Sequence, residues 1–137
     1  MDKEKLREAL VAFLLTATEI VEGENMYAIK TNRGEIKRTL KDYRVDSFEN
    51  GAMVHGTLCP KDMDDVLSSD EFISACENNE HLDVSDFILE NEWQSYFDLE
   101  DFLTESWDLF INYLKNEGIE GVEKDNFNMT YCSISIR

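Results

Sequence analysis

Residues 62–108 contain sixteen Asp or Glu side chains and no Lys or Arg, although bulky apolar residues recur through the same segment. Ordinary protein surfaces intersperse both signs of charge. A folded segment of this composition must bury its apolar side chains and direct its carboxylates to water, with no local basic residue to neutralise them. This charge distribution constrains the fold and the function more than any other feature of the sequence.

The acidity belongs to the second part of the chain. Residues 1–45 hold nine Lys or Arg and eight Asp or Glu, whereas residues 46–137 hold four and twenty-two. The formal net charge of −17 opposes compaction through self-repulsion but favours association with positive surfaces. Phosphate contacts require a basic patch, so we expect no direct binding to nucleic acid.

The composition is that of one folded domain and not that of a disordered acidic tail. The 137 residues are 42% hydrophobic and 11% aromatic, which is sufficient to build a core. No run of eighteen apolar residues occurs and the first residues lack a secretory leader pattern, so we expect a cytoplasmic protein without a membrane span. We predict a single α+β domain over residues 1–137.

Helices are predicted where apolar residues recur at spacings of three and four, which holds over residues 3–22 and 99–114. Gly23 and Gly118 follow these segments as stop signals. Between them lies an acidic helical block, residues 60–117, in which Pro60 marks a first helix start.

Two further helix starts are predicted inside the acidic block. Ser68 and Glu71 have the spacing of a capping box and predict a helix over about residues 69–78. Asp83 has the position of the N-cap of another helix.

Strands are predicted where β-branched and aromatic residues cluster between turn residues. They cover residues 26–31, a stretch near Glu35, residues 43–48 and 52–58, and a C-terminal strand over 126–137. Asn50-Gly51 predicts a tight hairpin, because both residues accept positive φ. We therefore expect an antiparallel sheet of about four or five strands, in which a central position suits the C-terminal strand.

The carboxylates of the acidic block are the candidate partner-binding residues. Asp101, Glu105 and Asp108 follow a spacing of four and three on the side opposite the apolar face of the predicted helix 99–114. Carboxylates in the first turn of a helix are favoured by the helix dipole. Glu105 and Asp108 lie beyond the first turn of the predicted helix, so the dipole does not explain their presence. The predicted binding set is Asp62, Asp64, Asp65, Asp70, Glu71, Glu100, Asp101, Glu105 and Asp108.

Aromatic and basic residues complete the predicted surface. Trp93 and Tyr96 lie between two acidic helical pieces, where they are either apolar anchors inside a charged rim or part of the core. The basic stretch 30–44 is the counterpart of the acidic block. It pairs with that block within the molecule or across a symmetric homodimer, and the sequence does not distinguish these two arrangements.

No motif predicts catalysis, a cofactor or a metal. From Asp62, a calcium loop would need Gly at the sixth position and Glu at the twelfth, where Leu67 and Ile73 stand. The spacing of the three Cys and two His residues matches neither a zinc site nor a disulfide framework. We assign no catalytic, metal-binding or cofactor-binding residue.

In size, acidity and lack of a catalytic signature the chain resembles the small acidic inhibitors encoded by phages and mobile elements, notably DNA-mimicking anti-restriction and anti-CRISPR proteins. This resemblance rests on the carboxylates of residues 62–108. It implies a protein in a bacterial cell that occupies the nucleic-acid channel of a defence nuclease or effector complex, with Asp and Glu in the place of phosphates.

Two other classes of function fit the same sequence. An immunity or antitoxin protein would use the same electrostatics to bind a basic toxin nuclease. A non-enzymatic acidic adaptor, or an enzyme or small-molecule binder with an unrecognised site, is the third class. A concave pocket with convergent polar groups would favour a binder of small molecules.

Overall fold

The structure, a computed structural model, describes residues 2–137 and shows an α+β protein. Seven α-helices occur in this range: α1 (Lys3–Leu14), α2 (Ala17–Gly23), α3 (Met63–Leu67), α4 (Asp70–Asn78), α5 (Val84–Glu90), α6 (Leu99–Glu105) and α7 (Trp107–Asn116). The strands are β1 (Ile29–Thr31), β2 (Gly34–Ile36), β3 (Arg38–Phe48), β4 (Gly51–Pro60), β5 (Ser95–Tyr96), β6 (Phe127–Met129) and β7 (Ser133–Ile136). The predicted fold class is confirmed, with an N-terminal helix and antiparallel strands.

The strands form two sheets. β1 and β2 make a small antiparallel hairpin in which Ile29 lies opposite Ile36. The larger sheet has the order β3-β4-β7-β6, and β5 pairs with β4 beside that path. β7 thus has a neighbour on each side, which confirms the central position predicted for the C-terminal strand.

The C-terminal segment differs from the prediction because it forms two strands instead of one. Thr130 turns the chain between β6 and β7: its backbone N–H donates to the carbonyl of Ser133 at 2.8 Å. The Thr130 hydroxyl accepts from the Ser133 N–H at 3.0 Å. A Thr hydroxyl can replace a backbone acceptor in this way, so a turn forms without Gly or Pro.

Contacts between Cα atoms divide the chain into two units. The first unit comprises the described residues up to Ala17, Tyr43–Gly56 and Phe97–Arg137, and the second comprises Thr18–Asp42 and Thr57–Tyr96. The chain passes from one unit to the other four times. Neither unit is a continuous segment, so no linker composition could have marked a boundary in the sequence.

The core of the first unit contains the apolar faces of α1, α6 and α7. Leu6, Leu10 and Leu14 are fully buried along α1. The Phe13 ring lies 5.0 Å from that of Phe110 and 6.2 Å from that of Phe102, measured between centroids. These helices are therefore held by aromatic packing between the apolar faces that the spacing in both segments predicted.

The predicted helix over residues 3–22 is two helices, because the chain turns at Leu15 and Thr16. The Thr16 hydroxyl donates to the carbonyl of Phe13 at 2.6 Å, and Leu15 is 63% exposed. Side-chain bonding of a Thr hydroxyl to a preceding carbonyl competes with the next helical hydrogen bond.

The core of the second unit is a cluster of apolar side chains around Trp93. The rings of Phe72, Phe87 and Trp93 pack edge to face, with successive centroids 5.2 and 4.9 Å apart. Ile36 and Val66 complete this cluster from β2 and α3.

The β3–β4 hairpin forms at the predicted position, but Gly51 has a different role from the one expected. Neither Asn50 nor Gly51 has a positive φ. Instead, a Cβ atom on Gly51 would lie 2.0 Å from the carbonyl oxygen of Ile134 on the neighbouring strand β7. Gly51 is therefore required by the close approach of two strands.

The starts of two helices differ from the predictions by one or more residues. Pro60 ends β4, and α3 begins after Asp62, whose carboxylate accepts from the Asp64 N–H at 2.9 Å. For α4 the cap is Ser69, which accepts from the Phe72 N–H at 3.3 Å, whereas Ser68 is the C-cap of α3. The predicted Asp83 cap of α5 is confirmed, with a 2.7 Å bond from the Ser85 N–H.

Candidate functional site

The carboxylates of residues 62–108 are divided between the two units. The second unit holds eleven of them, from Asp62 to Glu92, and the first unit holds five, from Asp98 to Asp108. We describe them as the second-unit acidic surface (the eleven carboxylates of residues 62–92) and the first-unit acidic surface (the five carboxylates of residues 98–108).

Fourteen of the sixteen carboxylate residues are exposed, and the exceptions are Asp70 and Glu71, which are half-buried. Asp70 accepts from the Nε of Arg33 at 2.7 Å. Glu71 accepts from the backbone N–H of Asn32 at 3.3 Å. The loop between β1 and β2 thus covers the start of α4 and leaves the other carboxylates in solvent.

Ion pairing with the basic stretch 30–44 is limited to that one contact. Within residues 2–137 the second salt bridge joins Arg44 to Asp46, outside the acidic block. Fifteen carboxylates of residues 62–108 therefore have no salt bridge to a described Lys or Arg. Intramolecular neutralisation, one of the two arrangements predicted for the basic stretch, is confined to Arg33 and Asp70.

Eight of the nine predicted binding carboxylates lie at the N-terminal end of a short helix. Asp62 is an N-cap, and the other seven lie in first turns, where the free N–H groups of the helix end favour a negative charge. The first-turn residues are Asp64 and Asp65 in α3, Asp70 and Glu71 in α4, Glu100 and Asp101 in α6, and Asp108 in α7. The local helix structure thus explains more of the acidity than the sequence suggested.

Glu105 is the one predicted binding carboxylate without such a position. It is the last residue of α6, at the negative end of the helix dipole, and it is exposed. The sequence predicted the same for Asp108, which is wrong because the chain breaks at Ser106 and places Asp108 in the first turn of α7.

The two candidate apolar anchors have different positions. Trp93 is only 8% exposed and belongs to the core of the second unit, so of the two alternatives open for it the core position is the one found. Tyr96 is 82% exposed, as an anchor requires.

Three apolar residues of α3 and α4 are exposed, and the sequence placed none of them among the anchors. Met63 and Leu67, one turn apart on α3, are each 45% exposed, and Ile73 on α4 is 43% exposed. Short helices explain the difference, because α3 can bury only Val66. Apolar periodicity identifies a face but does not show how much of it is covered.

Among the residues that the structure describes, burial shifts the pKa values of Arg38 and Tyr43. Desolvation lowers the pKa of the Arg38 guanidinium in the second unit. Desolvation raises the pKa of the Tyr43 hydroxyl in the first unit. Neither residue is a carboxylate of the predicted binding set.

The part of the chain that the structure describes contains no group of three or more His, Cys, Asp or Glu side chains able to hold a metal ion. Its three cysteines, Cys59, Cys76 and Cys132, are free thiols. No helix among residues 2–137 has the length and apolarity needed to cross a membrane. No family model, no curated protein and no solved structure matches the chain.

Proposed function

We propose that this protein binds a basic, nucleic-acid-binding protein, such as a nuclease or effector complex of a bacterial defence system, and inhibits it by occupying its phosphate-binding groove. One observation supports this function above the others. Within residues 62–108, fifteen of sixteen carboxylates have no salt bridge to a described Lys or Arg, and fourteen are exposed.

Helix structure accounts for the position of these carboxylates but does not neutralise them. A first-turn carboxylate interacts with helix N–H groups and typically contributes about 0.3–1 kcal/mol, so most of its field remains available to a partner. Each acidic surface keeps its negative charge in solution. A positive groove is the complementary surface, and such complementarity mainly raises the association rate and the specificity.

The exposed apolar residues Met63, Leu67 and Ile73 extend the proposal for the second-unit acidic surface. Protein–protein interfaces combine apolar contacts at their centre with a polar rim. On α3 and α4, where Asp70 alone is ion-paired, exposed apolar side chains among the carboxylates fit a partner that has both basic residues and apolar contact area. The phosphate backbone of nucleic acid offers such a groove negative charge but no aliphatic side chains like those of Met63, Leu67 and Ile73.

The direct test is affinity capture from a bacterial lysate at low salt, followed by identification of the retained protein. We expect a basic nucleic-acid-binding protein that is displaced by excess double-stranded DNA and whose affinity falls steeply as salt shortens the Debye length to about 8 Å at physiological ionic strength. Retention that is insensitive to both salt and DNA would contradict mimicry of nucleic acid. If the retained protein is a toxin nuclease, the function is that of an immunity or antitoxin protein.

Charge-neutralising variants locate the binding surface. The double variant Asp64→Asn, Asp65→Asn tests the second-unit acidic surface. The double variant Glu100→Gln, Glu105→Gln tests the first-unit acidic surface. The matched controls neutralise exposed carboxylates of the same unit outside the block: Glu19→Gln with Glu24→Gln, and Glu117→Gln with Glu120→Gln. Each control changes the net charge equally, so equal loss of binding in both members of a pair would exclude a localised surface.

A further inference from the structure

A groove of about 660 Å³ lies in the second unit beside the short strand β5. Its lining includes one cationic side chain, Arg38, and one anionic side chain, Glu92. Leu89 and Tyr96 add apolar surface, and Thr57 and Ser95 add hydroxyl groups. None of the nine carboxylates predicted for partner binding lines this groove, but Glu92 belongs to the second-unit acidic surface and Tyr96 is the exposed apolar anchor.

Arg38 is half-buried in this groove without a carboxylate partner. Its Nε donates to the carbonyl of Tyr27 at 2.7 Å, and its Nη1 donates to the carbonyl of Trp93 and the hydroxyl of Ser95, each at 3.3 Å. The guanidinium forms no salt bridge within residues 2–137. In a chain with thirty Asp or Glu, this cation is held by neutral oxygens and not by a carboxylate.

Glu92 stands in a backbone conformation that favours Gly. Its φ is +59°, at the end of α5, where the following N–H of Trp93 closes the helix on the carbonyl of Ile88 at 2.9 Å. Gly or Asn is the usual residue at such a helix end. This helix end carries a carboxylate instead, and Glu92 lines the groove.

The apolar part of the groove is open to solvent. Tyr96 is 82% exposed and Leu89 is 57% exposed, and both line the groove. An exposed aromatic ring beside an exposed aliphatic side chain offers a contact surface for a flat or branched apolar group.

We propose that this groove binds a zwitterion with an apolar side chain, namely an α-amino acid of the aromatic or branched aliphatic type. Arg38 takes the carboxylate of the ligand, Glu92 takes its ammonium group, and Tyr96 and Leu89 contact its side chain. Arg38 and Glu92 are not within ion-pair distance of each other, so neither group neutralises the other.

The net charge of the protein favours a zwitterion over an ion of either sign. A free anion would be repelled by a chain of charge −17. A simple cation would be attracted equally by many other exposed carboxylates. A zwitterion has no net charge, and a site with both a cation and an anion is complementary to it.

Three ligands test the proposed contacts of Arg38 and Glu92 one at a time. We would titrate ¹⁵N-labelled protein with L-phenylalanine, with N-acetyl-L-phenylalanine, which lacks the ammonium group, and with phenethylamine, which lacks the carboxylate. Saturable shifts of the Thr57 and Tyr96 amide signals are expected for L-phenylalanine. Affinity should fall roughly tenfold or more for each of the other two, because each leaves one charged group unpaired. Equal affinities for all three, or no saturable shift with L-phenylalanine, would overturn the proposal.

Variants of the lining residues test the same assignment. Glu92→Gly removes the carboxylate at a position that Gly prefers, so the fold is retained while affinity for L-phenylalanine falls roughly tenfold. Its control is Glu90→Gln, at an exposed α5 residue outside the lining. Tyr96→Ala should weaken binding, whereas Tyr131→Ala, at a 63% exposed residue of the first unit, should not. Unchanged affinity in both Glu92→Gly and Tyr96→Ala would contradict this site.

Discussion

The hydroxyl of Ser106 donates a 2.6 Å hydrogen bond to the carbonyl oxygen of Phe102, one turn earlier in the chain. Ser106 is only 2% exposed, so water does not compete for this bond. Bonding of a Ser hydroxyl to the carbonyl four residues earlier bends helices. The helix predicted over residues 99–114 is accordingly two helices, α6 and α7, and Glu105 and Asp108 lie at opposite kinds of helix end.

This difference predicts opposite effects of the same substitution on stability. Glu105→Lys places a cation at the C-terminal end of α6 and should raise the free energy of unfolding by about 0.3–1 kcal/mol. Asp108→Lys places a cation in the first turn of α7 and should lower it by a similar amount. Urea denaturation measures both. The two variants change the net charge equally, so equal shifts of the midpoint would show that the helix ends have no role.

The close approach of β4 and β7 predicts that Gly51→Ala is strongly destabilising. The added Cβ would lie 2.0 Å from the Ile134 carbonyl oxygen, a backbone atom that cannot rotate away. We expect the free energy of unfolding to fall by about 1–3 kcal/mol, the range for overpacking.

The control for this prediction is Gly23→Ala, where an added Cβ meets no atom within 4 Å. Gly23 is the last residue of α2 and its φ is not positive. Ala should therefore raise stability by about 0.4–1 kcal/mol. Equal losses in the two variants, measured by thermal or urea unfolding, would contradict the steric role of Gly51.

The sequence predicted the elements of this fold better than their ends. Apolar spacing identified the helical segments 3–22 and 99–114, but side-chain hydroxyls interrupt both, at Thr16 and Ser106. A hydroxyl that bonds a preceding carbonyl is invisible to a periodicity of apolar residues. The same limit applies to Thr130, whose hydroxyl turns the predicted C-terminal strand into a hairpin.

For the candidate site, the sequence predicted the charge but not its local cause. The lack of Lys and Arg in residues 62–108 is visible directly, whereas helix N-terminal positions depend on where α3, α4, α6 and α7 begin. The groove at Arg38 and Glu92 could not be predicted, because these residues are distant in sequence and neither belongs to a motif. Only the positive φ of Glu92 identifies it as unusual.

Burial of the Tyr43 hydroxyl predicts a dependence of stability on alkaline pH. Desolvation raises the pKa of Tyr43 above its unfolded value, so the folded state retains a proton that the unfolded state loses. The contribution of this proton to the free energy of unfolding is fully present below the unfolded pKa of about 10. It is lost as pH rises toward the folded pKa. Urea midpoints measured from neutral to alkaline pH should fall less steeply in Tyr43→Phe than in the wild-type protein.

Tyr43→Phe should also be more stable at neutral pH. The hydroxyl oxygen is buried and has no hydrogen-bond partner among residues 2–137, while the ring packs edge-on against Phe97 at 5.3 Å. Removal of an unsatisfied polar group should raise the free energy of unfolding by about 1 kcal/mol and keep the ring contact. Tyr131→Phe, at an exposed ring, is the control and should change nothing. A destabilised Tyr43→Phe would show that the hydroxyl is hydrogen-bonded in solution.

Replacement of Glu92 by Gly separates structural strain from ligand binding. Without ligand, Glu92→Gly should raise the free energy of unfolding by about 1 kcal/mol, because Gly adopts a φ near +59° without steric cost. Glu90→Gly, in the last residue of α5, should instead lower it by about 0.5–1 kcal/mol.

Addition of L-phenylalanine should then stabilise the wild-type protein in proportion to ligand saturation but leave Glu92→Gly nearly unchanged. Thermal unfolding with and without the amino acid measures both effects. A variant that gains no intrinsic stability would argue against strain at Glu92. A variant that is still stabilised by L-phenylalanine to the wild-type extent would show that the Glu92 carboxylate does not contact the ligand.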